Sequence, residues 1–183
     1  MQKSGAVELS IGTIVIIVLA MSMLILGLVL VKNIFSGATD VVDMTNDQLI
    51  DQVSKLFGDD KKLVVYPTTR EITVKIEKKS GFGVVVKNLL KGTQDTDQFS
   101  YEVIVSDADL QENCGVDEAT VLRDWVTAGR TDTFPIAPGE FASGKVLIQI
   151  PSGAPICNFR LRVNVKHGED TYASELMDVI IEG

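Results

Sequence analysis

A stretch of 23 residues without a charged side chain, residues 9–31, most constrains what this chain can fold into. As a helix rising about 1.5 Å per residue, it is long enough to span the ~30 Å hydrocarbon core of a bilayer. A core helix of a globular protein usually keeps a polar face, which this run lacks. The apolar part of a cleaved secretory signal is about 7–15 residues long, which is shorter than this run. We therefore expect residues 6–35 to form a hydrophobic, membrane-compatible helix that stays on the mature protein.

The charge of the chain lies almost entirely after this apolar run. The whole chain has a formal net charge of −8, yet its mean hydropathy is positive, at +0.21. Residues 33–183 hold 15 Lys and Arg residues against 24 Asp and Glu residues. Binding to nucleic acid needs clustered Lys and Arg to displace counterions from phosphates, so we expect no nucleic-acid partner.

Residues 36–60 show a second helical pattern, which is amphipathic and acidic. Apolar residues recur at near-helical spacing, and aspartates recur at steps of three and four residues on another face. The apolar set is Val42, Leu49, Val53 and Leu56, and the acidic set is Asp40, Asp43, Asp47 and Asp51. We predict a helical stalk over residues 36–60 that extends the apolar rod and stops at Gly58.

From residue 61 to residue 183 the periodicity becomes that of β-strands. Seven short runs alternate apolar and polar residues, with Gly, Pro and Asp between them, as in an antiparallel sandwich. The runs are residues 62–66, 71–78, 83–88, 99–106, 145–150, 159–165 and 177–181. The prediction is an α+β chain, with a long N-terminal hydrophobic helix followed by an antiparallel immunoglobulin-like β-sandwich.

Residues 107–133 interrupt the strand pattern and carry the only tryptophan, Trp125. Within them, residues 116–125 are compatible with a short helix or with a decorated loop. Long insertions on a sandwich often carry binding specificity, but a single large aromatic residue is more often part of the core. We predict that Trp125 fills the core of the sandwich.

Cys114 and Cys157 are the only cysteines. An even pair in an extracytoplasmic domain predicts a disulfide, and two independent buried thiols are the alternative. Lys3 and Lys32 flank the apolar run on its two sides and nearly balance, so we infer from the cysteines that the C-terminal part lies in an oxidising compartment. The expected location is a membrane-anchored chain with an extracytoplasmic C-terminal domain.

The sequence offers little catalytic chemistry. His167, the only histidine, stands beside Gly168 in an apparent turn and has no nearby nucleophile motif. The sequence has neither a Cys-x-x-Cys motif nor a glycine-rich phosphate loop. We therefore predict no catalytic, cofactor-binding or metal-binding residues, and a protein that is not an enzyme.

The N-terminal residues KSGAVE (3–8) and LSIGTIVII (9–17) resemble those of archaeal type IV pilin-like proteins, and the Ile-Gly-Thr element is similar to the start of archaellins. The resemblance implies that residues 1–5 are a basic leader removed by a prepilin-type peptidase, with Gly5 and Ala6 flanking the cleaved bond. It further implies that Glu8 neutralises the N-terminal amine of a neighbouring copy, and that Gly12 belongs to the assembling segment. Copies of the chain would then form a surface filament through their apolar helices.

Two alternatives accompany this resemblance. Cleavage after Gly5 would make Glu8 the third residue of the mature chain, whereas cleavage after Lys3 would make it the fifth, the usual place in the superfamily. Glu8 could also simply face water near the start of the helix, where the helix dipole favours a carboxylate. In that case the chain would be a single-pass membrane protein contacting lipids, with an immunoglobulin-like module for adhesion or envelope structure.

Overall fold

A computed structural model describes residues 11–35, 41–58, 60–91 and 97–183. The chain divides into two compact units, Met1–Ser36 and Gly37–Gly183. In the first unit, helix α1 covers Ile11–Phe35. Its 25 residues correspond to about 37 Å of helix, which confirms the predicted apolar helix over this part of the chain.

The second unit is a two-layer β-sandwich. One sheet has four strands in the order β1-β3-β7-β5, and the other has five in the order β2-β9-β8-β4-β6. The strands are β1 (Leu63–Tyr66), β2 (Glu71–Lys75), β3 (Lys79–Lys87), β4 (Asp97–Val105), β5 (Val126–Ala128), β6 (Thr131–Ile136), β7 (Phe141–Gln149), β8 (Asn158–His167) and β9 (Asp170–Glu182). The predicted fold class is thereby confirmed.

The core lies between the two sheets, because alternate residues of each strand point inward. In β8, Phe159, Leu161, Val163 and Val165 are buried, whereas Arg160 and Arg162 between them are exposed. Trp125 is 2% exposed and packs against Phe159, with ring centroids 5.5 Å apart. The prediction that Trp125 fills the core is confirmed.

Three features of the sheets differ from the sequence prediction. Strands β5 and β6 are additional to the seven expected, and they lie at sheet edges where few side chains are buried. Strand β2 pairs with β9 in parallel, whereas every other described pair is antiparallel. The chain reverses at Glu77, whose φ is +63°, and β3 begins at Lys79, so residues 79–81, which lie between two of the predicted runs, belong to a strand.

The insertion between β4 and β5 contains short helical segments, which settles the choice between helix and loop. Helix α3 covers Leu110–Cys114, α4 covers Glu118–Thr120, and a π-helical turn covers Val121–Trp125. Asp117 caps α4, since its Oδ1 accepts a hydrogen bond from the Thr120 N–H at 2.8 Å. The buried residues Val121 and Trp125 attach this insertion to the sandwich core.

Helix α2 covers Asn46–Ser54 and is shorter than the stalk predicted over residues 36–60. Residues 41–43 are helical, but residues 44 and 45 are not, and Thr45 begins α2 with a capping box. The Thr45 Oγ1 accepts from the Gln48 N–H at 3.2 Å, and the Thr45 N–H donates to Gln48 Oε1 at 2.8 Å. Residues 36–40 and 59 of the predicted stalk lie outside the described residues.

Helix α2 is packed against the sandwich, which belongs to the same compact unit. Leu49 and Val53 are fully buried against Val64 and Val85 on the outer face of the four-stranded sheet. Gly83 leaves the space that Leu49 occupies, because a Cβ on Gly83 would lie 2.5 Å from a Leu49 methyl carbon. Of the predicted apolar set, Leu49 and Val53 are buried, Val42 is half-buried and Leu56 is exposed, and the apolar face of α2 covers a sheet of the same domain.

Tyr101 is a buried polar residue whose hydroxyl group has no hydrogen-bond partner in the described part of the chain. Its side chain lies over Gly144, where a Cβ would be 2.6 Å from the hydroxyl oxygen. Burial, reinforced by the charge of Asp132, raises the pKa of Tyr101 to about 12. The phenolate is therefore disfavoured in the folded protein.

We expect Tyr101→Phe to stabilise the folded protein by about 1 kcal/mol at pH 7, because it removes a buried hydroxyl group that makes no hydrogen bond. In the wild type, the pKa of Tyr101 in the folded state lies above the unfolded value near 10. Below pH 10 its ionisation therefore does not affect stability, but from pH 10 to pH 12 the unfolded chain ionises first and the free energy of unfolding falls progressively. Urea denaturation of both proteins at pH 7, 10 and 11.5 measures the difference, which should widen with pH.

Tyr172→Phe is the matched control for this prediction. The Tyr172 hydroxyl donates to the Lys87 carbonyl and accepts from the Leu89 N–H, both at 2.8 Å. Its removal should lower stability by about 1–2 kcal/mol, since two backbone groups lose a partner. If Tyr101→Phe destabilised the protein as much as Tyr172→Phe, the Tyr101 hydroxyl would have to be hydrogen-bonded.

Candidate assembly surface

The surface of α1 is apolar on every side. All its described side chains, residues 12–29, are exposed, and its large hydrophobic residues range from 45% exposure at Ile17 to 76% at Met23. The mean hydropathy over Gly12–Val29 is 2.7, and none of this span is buried. A helix that is hydrophobic all round requires an apolar environment on all sides, in contrast to an amphipathic helix on a domain surface.

The polar groups within α1 are compatible with such an environment. Residues 12–29 include no charged side chain. The Ser22 hydroxyl donates to the Val18 carbonyl at 2.8 Å, which satisfies it within the helix itself. By length and composition, α1 can be a membrane span or a signal anchor.

The residues predicted for processing and assembly fall mostly before α1. The leader 1–5, with the predicted cleavage residues Gly5 and Ala6, and the predicted assembly residue Glu8 lie outside the described residues. Gly12, the other predicted assembly residue, lies in the first turn of α1. These assignments stay predictions.

The predicted disulfide between Cys114 and Cys157 is confirmed. The two Cα atoms are 5.4 Å apart, and the cysteines are 43 positions apart in the sequence. Cys114 ends α3, and Cys157 directly precedes β8, so the bond ties the insertion to the five-stranded sheet. Cys114 is 1% exposed, which places the bond partly within the core.

Polar contacts also hold the segment before α2 on the sandwich, which sequence reasoning missed. The Lys145 ammonium group on β7 donates to the carbonyl oxygens of Met44 at 2.7 Å and Val42 at 3.4 Å. The Ser143 hydroxyl donates to the Asn46 carbonyl at 3.2 Å. Carbonyl groups at the end of a helical turn lack hydrogen-bond partners within the helix, and the lysine supplies them. A single lysine in a strand pattern does not by itself predict that it caps a helical turn distant in sequence.

Aromatic contacts close the other end of this segment. The Phe57 ring packs edge-on against Phe141, with centroids 5.1 Å apart, and the Lys87 ammonium lies 5.4 Å from the centroid of the Phe141 ring. Val41 at the start of the segment is fully buried. Residues 41–57 are therefore part of the sandwich domain along their whole length.

Ion pairs on the sandwich include Arg70 with Glu175 and Arg160 with Asp178. No group of three His, Cys, Asp or Glu residues that could hold a metal ion occurs among the residues that the structure describes. His167 lies at the end of β8, with its Nε2 3.4 Å from Asp97 Oδ1 and its ring 5.1 Å from that of Phe99. It packs on an aromatic residue of the core, in keeping with its predicted place at a hairpin turn.

No protein-family model matches the sequence, and no similar protein was found among the curated proteins. Among solved structures, the chain is similar to a CARDB domain from Pyrococcus furiosus that was solved in complex with di-metal ions, with 15% sequence identity and a TM-score of 0.39. The alignment covers 66% of this chain and 87% of the CARDB domain. A Niemann-Pick type C2 protein from the Japanese carpenter ant is 8% identical with a TM-score of 0.40, over 67% and 90%. The strand order described above establishes the fold: an apolar N-terminal helix followed by an immunoglobulin-like β-sandwich.

Proposed function

We propose that this protein is a structural subunit of a type IV pilin-like or archaellin-like surface filament. In this proposal, α1 first holds the subunit in the membrane and then packs against α1 of other copies, while the sandwich is exposed on the outside. The observation that carries the proposal is the uncovered, apolar surface of α1 over residues 12–29. The role is assembly rather than catalysis, and the partners are copies of the chain, membrane lipids and a prepilin-type peptidase.

The residues around α1 support a filament over a simple anchor. The sequence before the helix contains Lys3, Gly5 and Glu8, the pattern that resembles pilin-like leaders. A carboxylate directly before a continuous apolar run is costly to bury unless it is paired with a cation. In a filament, the N-terminal amine of a neighbouring copy would supply that cation.

The disulfide supports a location outside the cytoplasm for the sandwich. Disulfides form and persist in oxidising compartments and are rare in the cytosol. With the sandwich outside and α1 in the membrane or the filament core, the chain would be a cell-surface protein. The second candidate function, a single-pass surface protein with an immunoglobulin-like module, rests on α1 alone being long enough to span a bilayer.

The experiment that tests the proposal is N-terminal sequencing of protein sheared from the cell surface, combined with Glu8→Ala. We expect filaments whose subunits begin at Ala6 or Ser4, and a reduction of filament number by about tenfold or more in the variant, because the buried amine of a neighbour loses its partner. Filaments are counted by electron microscopy and by the protein content of the sheared fraction.

Glu118→Ala is the control, since Glu118 is an exposed acidic residue on the sandwich and should leave the filament number unchanged. Protein that keeps Met1 and is found only with membranes would contradict the filament proposal and favour the anchored surface protein. An unchanged filament number in Glu8→Ala would remove the carboxylate from the assembly mechanism.

A further inference from the structure

Residues 41–57, which lie between α1 and β1 in the sequence, have a small hydrophobic cluster of their own. Leu49 and Val53 of α2 pack on Val64 and Val85, on the outer face of the four-stranded sheet. The main core lies between the two sheets and contains none of residues 41–57, all of which the structure describes. The main core of the sandwich therefore does not depend on side chains of this segment.

The backbone of this segment is also separate from the sheets. In the described part of the chain, no backbone–backbone hydrogen bond joins residues 41–57 to a strand. The polar links to the sandwich come from two side chains of β7, Lys145 and Ser143, which donate to three carbonyl groups of the segment. The segment is thus attached to the sandwich through side chains, whereas each strand is also held by a backbone ladder.

The C-terminal end of the segment has a clear boundary. Gly58 is exposed, and no atom lies within 4 Å of the position that its Cβ would take. From Lys62 onward the chain is held again, because the Lys62 carbonyl accepts from the Lys87 N–H at 2.9 Å. The Lys62 ammonium group also lies 4.6 Å from the centroid of the Tyr172 ring. Separation of residues 41–57 from the sheet would therefore leave β1 paired with β3.

Helix α2 is too short to persist away from the sheet. It has 9 residues, and isolated helices shorter than about 12–15 residues are marginal in water. Its docking and its helical folding are therefore coupled, which gives the segment two states, docked and helical or released and unfolded. Segments with few buried apolar contacts open locally at a lower free energy than the core of a domain.

We propose that residues 41–57 are a releasable strap, which leaves the four-stranded sheet as one unit while the sandwich stays folded, and that Lys145 anchors it. Release extends the chain between α1 and the first residue held by the sandwich from residues 36–40 to residues 36–61. The added residues 41–61 supply up to about 70 Å of extended chain. The sandwich then yields to a pull without unfolding. This inference goes beyond the proposed function, because it holds for a filament subunit and for an anchored surface protein alike.

Cysteine labelling of the full chain in detergent micelles tests the strap, since both native cysteines are held in the disulfide. Val84 and Val85 are adjacent in β3 and both 0% exposed, but Val85 lies under the strap and Val84 faces the main core. We expect a maleimide to modify Val85→Cys at least about tenfold faster than Val84→Cys in native buffer. Labelling of Val85→Cys should also depend less on urea, because release of the strap exposes less surface than unfolding of the sandwich.

Lys145→Met tests the anchor. Added to Val85→Cys, it should raise the labelling rate about tenfold, because the carbonyl groups of Met44 and Val42 lose their donor. Added to Val84→Cys, it should leave the rate unchanged. Lys79→Met is the control, since Lys79 is an exposed lysine of β3 paired with Gln149, and it should change neither rate.

Equal labelling rates at positions 84 and 85, with the same urea dependence, would overturn the strap, since residue 85 would then become accessible only when the sandwich unfolds. An equal increase at both positions in Lys145→Met would overturn the role of this lysine as the anchor. Hydrogen exchange of the unmodified chain provides a check that needs no cysteine variant. Amides of α2 should exchange at least about tenfold faster than those of β3, and equal protection of the two would overturn the strap.

Discussion

Gly129→Ala is expected to lower the free energy of unfolding of the sandwich by about 4 kcal/mol or more, a large share of the total for a domain of this size. Gly129 lies between β5 and β6, where the chain leaves the four-stranded sheet for the five-stranded one. Its φ is +72°, and a Cβ there would overlap the carbonyl oxygen of Lys145 on β7. The backbone of a central strand cannot move away cheaply, because β7 is hydrogen-bonded to β3 and β5 on its two sides.

Gly139→Ala is the matched control for this prediction. Gly139 has a φ of +82°, but a Cβ there would meet nothing within 4 Å. It should lose only about 1 kcal/mol, the cost of a left-handed conformation in an alanine. Urea denaturation followed by the fluorescence of Trp125, the only tryptophan, measures both variants, and equal losses would show that the crossover at Gly129 has room for a side chain.

Met21→Lys is expected to abolish surface filaments while leaving the protein in the membrane. Met21 lies near the middle of Gly12–Val29 and is 61% exposed. This span contains eleven Leu, Ile and Val residues, which together favour membrane insertion by roughly 3–7 kcal/mol. One lysine at the centre costs about 2.5–3.5 kcal/mol, so insertion of a single helix survives. In a packed filament core the same ammonium group would be buried in every subunit with no counter-ion.

The measurement compares the membrane fraction after carbonate extraction with the sheared filament fraction. Met21→Leu is the control, and it should retain both, since it conserves volume and hydrophobicity. Normal filament numbers in Met21→Lys would mean that α1 does not pack in a dry core, and the filament proposal would then fail. Loss of the protein from both fractions would contradict the expected membrane retention.

Much of the architecture could be predicted from local patterns. The run of residues 9–31 indicates an apolar helix because a long, uninterrupted stretch of hydrophobic residues can be recognised without knowing what the helix packs against. The alternation in β8, with Arg160 and Arg162 outward, reflects the two-residue period of a strand with one buried face. The disulfide between Cys114 and Cys157 involves the only two cysteines, so the choice was between that bond and free thiols.

Other features could not be predicted because they depend on contacts distant in sequence. Strand β6 is defined by its pairing with β4, but its own sequence does not predict a strand. Thr131 and Asp132 are polar, and Pro135 lacks the N–H group that a strand residue usually donates. The parallel pairing of β2 with β9 joins Glu71 to Asp178, more than a hundred residues away.

The sequence by itself determined that this protein has an uncharged apolar helix near its start, an acidic amphipathic segment and an alternating β domain, because each of these is encoded in the spacing of neighbouring residues. Only the tertiary structure decided what the amphipathic segment covers. Leu49 and Val53 predict a buried face, but only the position of Gly83 on a neighbouring strand shows that this face docks on the four-stranded sheet. The physical reason is that burial can be read from local periodicity, whereas the identity of the burying surface depends on contacts across the whole fold.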